Sequence, residues 1–235
     1  MFQKEEDEGV RKQSRGRPRL ALEDNETRER ILNTAQRLFA QKGFDKVNLR
    51  ELTKEANTHL AAVNYYFGTK DQLLVALVKR ASDTIGAERD QLLQEALSQD
   101  LSVRARVEAI LKALLRPSVA AVDGNCSVAN GTLLARASDL ELGEELLEAL
   151  REHNAQLQLF VDALANTLPN ADRSDVSWQL YFLLNIEKAV HTQLERIEHF
   201  GEDISPEVDE EALLDRIIAF AVPGLLSLAD SAGVH

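Results

Sequence analysis

The chain has 235 residues, 44% of them apolar and 28% charged, with a net charge of −12; that is ordinary for a folded protein and enough for a small domain beside a larger one. Its single cysteine, Cys126, excludes an internal disulfide. Without a run approaching 18 apolar residues or an apolar leader, neither a membrane span nor a secretory signal is expected, and the cytoplasm is the expected location.

The charge is unevenly spread. Residues 11–80 hold 15 Lys and Arg against 8 Asp and Glu, whereas residues 81–235 hold 11 against 27. A polyanion would be drawn to the first segment and repelled by the second.

In chain order, residues 1–24 are charged and poor in apolar side chains, which predicts a disordered arm. Within it Arg15-Gly16-Arg17-Pro18-Arg19 has the R-G-R-P core of an AT-hook, an extended basic segment that fits a narrow minor groove. The alternative is a solvated basic tail. From Thr27, Ile31, Leu32, Ala35, Leu38 and Phe39 recur at helical spacing, with Asp24, Asn25 or Thr27 as caps and Gly43 as the stop. A second short helix follows Asn48 as its cap and turns Leu49, Leu52 and Ala56 inward. Asn57-Thr58 breaks it, and a third helix, 59–66, presents Leu60, Val63 and Phe67 to the same core. Thr69 then caps a long helix running through Leu77 and Leu92 to Leu97. Apolar periodicity continues at 101–116, 128–137, 140–167, 173–199 and 208–229, with breaks at Pro117, Gly124, Pro169, Gly201 and Pro206. No run alternates as a strand would. The fold is therefore expected to be all-α with about nine helices, divided into an arm (1–24), a head (25–70) and a body (71–235).

Residues 47–67, VNLRELTKEANTHLAAVNYYF, give two short helices around a tight break, the layout of a helix-turn-helix. In that arrangement the first helix crosses the DNA backbone and the second sets its N-terminal side chains on major-groove base edges. Thr58 and His59 at the start of the third helix, with Ala61 and Ala62 on its exposed side, are then the base-facing candidates; an alanine methyl suits a thymine methyl. Arg50, Thr53 and Lys70 are candidates for phosphate.

No catalytic site is expected. The chain has no G-x-S-x-G, H-E-x-x-H or P-loop, and His153, His191, His199 and Cys126 lack metal-ligand spacing, so neither metal nor cofactor is expected. Those histidines read as solvent-facing or structural. Trp178, Tyr181 and Phe182 share one helix and either line a ligand pocket or anchor a core or dimer interface.

From 27 to 78 the chain reads TRERILNTAQRLFAQKGFDKVNLRELTKEANTHLAAVNYYFGTKDQLLVALV. This closely resembles the N-terminal domain of the TetR/AcrR family of one-component transcriptional regulators, in its ILNTAQRLFAQKGF, LRELTKEA, AAVNYYF and GTKDQLL segments. Two positions depart from the family pattern. Asn57 stands where glycine is usual in the turn, and Asn tolerates the left-handed conformation best among the other residues. Asn64 replaces a common aromatic, with a base edge or a phosphate within its chemistry. The resemblance implies that Tyr65 and Tyr66 touch phosphate. It also implies a small-molecule effector pocket in the body, and a homodimer formed by the last two long helices, about 173–199 and 208–229. A ligand-responsive regulator of palindromic DNA, acting as a repressor, is the expectation that follows. An activator or architectural protein of the same fold, or an all-helical scaffold, are the alternatives.

Overall fold

The computed structural model describes residues 17–119, 127–141, 143–201 and 209–230, with side chains from Asp24 onward. Among them there are ten α-helices and one 3₁₀ segment: α1 (Arg17–Lys42), α2 (Leu49–Glu55), α3 (Leu60–Phe67), α4 (Lys70–Ser98), α5 (Val103–Val119), α6 (Ser127–Ala137), α7 (Glu144–Ala155), α8 (Leu157–Thr167), α9 (Arg173–Gln193), the 3₁₀ segment Leu194–Phe200, and α10 (Glu210–Asp230). Gln156 between α7 and α8 keeps helical dihedrals, so those two run almost as one interrupted rod.

The punctuation read from the sequence acts where it was expected. Gly43 has φ +85 and donates its N–H to the Phe39 carbonyl, ending α1. The Asn48 side chain accepts the Glu51 N–H and starts α2. Thr69 and Gln72 form a reciprocal capping box that starts α4. Some boundaries differ. None of Asp24, Asn25 and Thr27 caps α1, because the helix begins at Arg17 and takes in the last residues of the expected arm. Pro117 lies inside α5, close to its described end, where it gives no N–H to the carbonyl four residues back. By length and composition alone, Glu210–Ala229 of α10 is apolar enough to cross a membrane, as the core helices of many proteins also are. Apolar residues on both of its faces cause this: Leu214, Ile217 and Leu225 are buried while Phe220 is 73% exposed.

Two cores form. The head core joins Ile31, Leu38 and Phe39 of α1, Leu52 of α2, Val63 and Phe67 of α3, and the first turns of α4. The body core joins Leu93 and Ala96 at the far end of α4 with α5, α8, α9 and α10. One 29-residue helix, α4, thus belongs to both. The head is also tied to α6, whose Leu133, Leu134 and Ala137 complete its core. A buried bond from Gln36 Nε2 to Asn130 Oδ1, 2.5 Å long, joins α1 to α6.

Candidate nucleic-acid interface and body cavity

The turn between α2 and α3 depends on Asn57, which adopts φ +47 and so does the work of the glycine it replaces. The Thr58 N–H then reaches back to the Thr53 carbonyl at 2.9 Å, closing the end of α2. Arg30 of α1 braces the same corner, its Nε donating to the Ala56 carbonyl at 2.8 Å. With Val63 and Phe67 locked inward, the opposite face of α3 must point out. That face carries Ala61, Asn64 and Tyr65, with His59 at its start; all four are exposed, Tyr65 at 76%. Leu60, expected in the core, is 47% exposed and joins this surface. It sits in the first turn of α3, one turn before Val63 but beyond the edge of the head core. Arg50 is exposed on α2 and Thr58 is half-buried at the turn.

Other candidates are turned into the head. Thr53 is buried and its hydroxyl donates to the Arg50 carbonyl. Ala62 is half-buried against the head core. The Tyr66 hydroxyl donates to the Asp24 carboxylate, and that bond pushes the phenol up to about 12. Lys70 donates to the Phe44 carbonyl at 2.6 Å and lies 4.0 Å from the centre of the Phe44 ring. Burial of its ammonium lowers the pKa despite nearby Asp45 and Asp71. Here Lys70 clamps the loop after α1, and a phosphate would have to compete with a carbonyl and a ring for it. Of the AT-hook candidates, Arg15 lies outside the described residues, whereas Arg17 and Arg19 fall in the first turn of α1 and not in an extended segment.

The body holds a cavity of about 540 Å³ between α4, α6, α7 and α9. Its apolar wall includes Ile85, Leu134, Leu150 and Leu184, and its polar wall Arg89, Ser118, His153, Glu187 and His191. Arg89 is 2% exposed; its Nε donates to the Leu114 carbonyl at 2.8 Å and its Nη2 is 3.8 Å from Glu187 Oε1. Ser118 donates to the same Glu187 oxygen. Desolvation, then the charge of Arg89, push His153 down to about 4 while its Nδ1 sits 3.0 Å from the Ser82 hydroxyl. Desolvation also lowers His191, against the pull of Glu187. Of the three aromatic candidates, Tyr181 borders this cavity. Trp178 and Phe182 lie outside it, stacked on each other at 5.8 Å between centroids and more than half exposed. His153 and His191, read as solvent-facing or structural, line the cavity, as do Arg89 and Glu187, which the sequence did not single out. A buried Arg–Glu pair 98 positions apart leaves no local spacing signal. Cys126 lies outside the described residues, and among those described no group of three His, Cys, Asp or Glu side chains is placed to hold a metal.

Two family profiles match. Residues 31–77 match the bacterial regulatory proteins of the tetR family, and residues 112–224 match the tetracyclin repressor-like C-terminal domain. The chain belongs to the TetR family. Among curated relatives, the probable HTH-type transcriptional regulator YttP of Bacillus subtilis (strain 168) is 40% identical over 52 residues, which are 22% of this chain and 25% of that protein. The HTH-type transcriptional regulator BetI of Brucella anthropi is 28% identical over 94 residues, 40% of this chain and 46% of BetI. The chain thus spans from a quarter to just under half of the length of these two relatives. Among solved structures, reduced E. coli NemR superposes with a TM-score of 0.56 at 22% identity, covering 83% of this chain and 94% of that one. AibR, solved with isovaleryl coenzyme A and operator DNA, superposes with a TM-score of 0.58 at 16% identity, covering 84% and 98%. At these identities the likeness establishes the fold. The protein is a TetR-family helix-turn-helix transcriptional regulator, without strands among the described residues, matching the family's N-terminal profile over 31–77 and a C-terminal one over 112–224.

Proposed function

We propose that this regulator is a ligand-responsive repressor that binds a palindromic operator as a homodimer. The outer face of α3 reads the major groove: Ala61 and Asn64 meet base edges, with His59 and Thr58 at the helix start. Tyr65 and Arg50 hold the backbone on either side. The exposed aromatics of α9 and Phe220 of α10 lie on the two helices proposed to meet their counterparts in a second copy, so that two heads stand on a two-fold axis.

One observation carries the ligand reading. The helix that lines the cavity with Ile85 and Arg89 is the one whose first turns complete the head core. A molecule seated against α4 touches the rod that carries the recognition helix. α6 offers a second route, because Gly131 borders the cavity and its neighbour Asn130 bonds to Gln36 of the head. The ligand shifts the equilibrium between DNA-competent and released forms by its difference in affinity for them.

The test is selection of bound sequences from random duplexes, followed by the mass of the resulting complex. An enriched inverted repeat carrying two chains supports the reading. Enrichment of AT-rich DNA without symmetry would replace it with an architectural role.

A further inference from the structure

The polar end of the body cavity holds donors without acceptors. Arg89 Nη1 and His191 Nε2 are both buried and lack any hydrogen-bond partner, and both residues line the cavity. Arg89 is itself almost wholly buried, at 2% exposed. Glu187 links the two: Arg89 Nη2 lies 3.8 Å from its carboxylate, and its charge bears on His191. His191 Nε2 and the Ser118 carbonyl lie 2.7 and 2.6 Å from where a Cβ on Gly131 would stand, and the Ser118 hydroxyl donates to the Glu187 carboxylate beside Arg89. Only a glycine at 131 lets the His191 ring and the Ser118 carbonyl pack this closely against α6.

Proton positions fix what fits there. A guanidinium has donors and no acceptor. The Thr132 hydroxyl lies 3.3 Å from His191 Nδ1; taking that hydroxyl as the donor places the neutral ring's proton on Nε2, a second donor. Two buried donors in one cavity call for acceptor oxygen on whatever enters. Charge fixes the rest. Arg89 already faces Glu187 at 3.8 Å, while Lys188 and Arg151 at the rim pair with Asp139 and with Glu144 and Glu148. The deep end is charge-balanced, so a carboxylate would add an uncompensated buried charge, and an ammonium would set a second cation against Arg89. The remaining wall is leucine and isoleucine.

We infer that the cavity takes an uncharged amphiphile whose carbonyl oxygen (of a ketone, ester or amide) accepts from Arg89 Nη1 and His191 Nε2, with its apolar chain along Ile85, Leu134, Leu150 and Leu184. This rests on the reading of the cavity as the effector site and names the effector's class.

Calorimetric titration of the full-length dimer with octan-2-one, octanoate and octylammonium separates the classes, since the three share a chain length. Octan-2-one is expected to bind at least tenfold more tightly than either ion. His191→Phe, which keeps the ring and removes the donor, should weaken the ketone fivefold or more without changing uptake of N-phenyl-1-naphthylamine, an uncharged dye that needs only apolar wall. Ala135→Phe, placing a ring in the cavity, should abolish both, with circular dichroism and melting temperature verifying that each variant is folded. Octanoate binding as well as the ketone, or a ketone affinity untouched by His191→Phe, overturns the carbonyl assignment while the dye still reports an effector cavity. Dye uptake unaffected by Ala135→Phe would remove the effector reading as well.

Discussion

Lys70 and Tyr65 divide the work that a sequence comparison assigns to both. Tyr65 projects from α3 at 76% exposure, so Tyr65→Ala is expected to weaken operator binding by about 1–2 kcal/mol, of the order of a charge-assisted phosphate contact, with the melting temperature unchanged. Lys70 is tied to the Phe44 carbonyl and ring. Lys70→Ala should therefore lower the unfolding free energy by about 1 kcal/mol, read as a fall in the urea midpoint, whatever it does to DNA affinity; an unchanged midpoint would refute the clamp. His153 supplies a pH prediction. Its folded-state pKa is depressed to about 4 from 6.5, so the unfolded chain binds more protons in between. Full stability is present above about pH 6.5 and is lost as the pH falls toward 4, up to about 3 kcal/mol at roughly 1.4 kcal/mol per pKa unit. His153→Gln should flatten that part of the stability curve, and an unchanged curve would show that the imidazole is not held neutral. Of these residues, Tyr65 was legible from its place in the AAVNYYF segment. The inward turn of Tyr66 was not, because its partner Asp24 had been placed in an arm with no fixed structure. Arg89 and Glu187 stayed hidden because burial of a charge is decided by packing between distant helices.

At the scale of elements, α4 and α6 connect the two halves. The Gln36–Asn130 bond spans 94 positions and is buried. Asn130→Ala strands the Gln36 amide and should cost about 1–3 kcal/mol, while the double variant with Gln36→Ala should cost less than the two single changes added together. Additivity in that cycle would mean that the bond contributes nothing. The helices themselves were largely readable: Asn48, Gly43 and the Thr69 capping box act through local chemistry that a sequence displays directly. Leu60 was misplaced for a geometric reason. Periodicity marks a residue as lying near an apolar stripe, but a helix of eight residues has barely two turns, too few to show on which side of the stripe its first residue falls. The start of α1 escaped likewise, since the polar segment 17–26 carries no apolar period.

For the whole molecule, the split in charge and the two-faced apolarity of α10 belong together. A body carrying excess acid is repelled by DNA and leaves contact to the head, whose orientation the proposed dimer would fix. Trp178, Tyr181, Phe182 and Phe220 are each more than half exposed, a patch of the kind that interfaces cover. Phe182→Asp with Phe220→Asp is expected to halve the mass seen by sedimentation and to reduce affinity for an inverted repeat by more than tenfold, since a single head loses its partner; a dimer that survives would place the interface elsewhere. The measurement that bears most directly on the account is fluorescence anisotropy of a selected inverted repeat and a scrambled duplex over a salt series, for the wild-type chain and for Asn64→Ala. A wild-type preference for the repeat of about a thousandfold or more, reduced in Asn64→Ala with the salt slope kept, is the predicted result. Equal affinity for both duplexes at every salt concentration would contradict it.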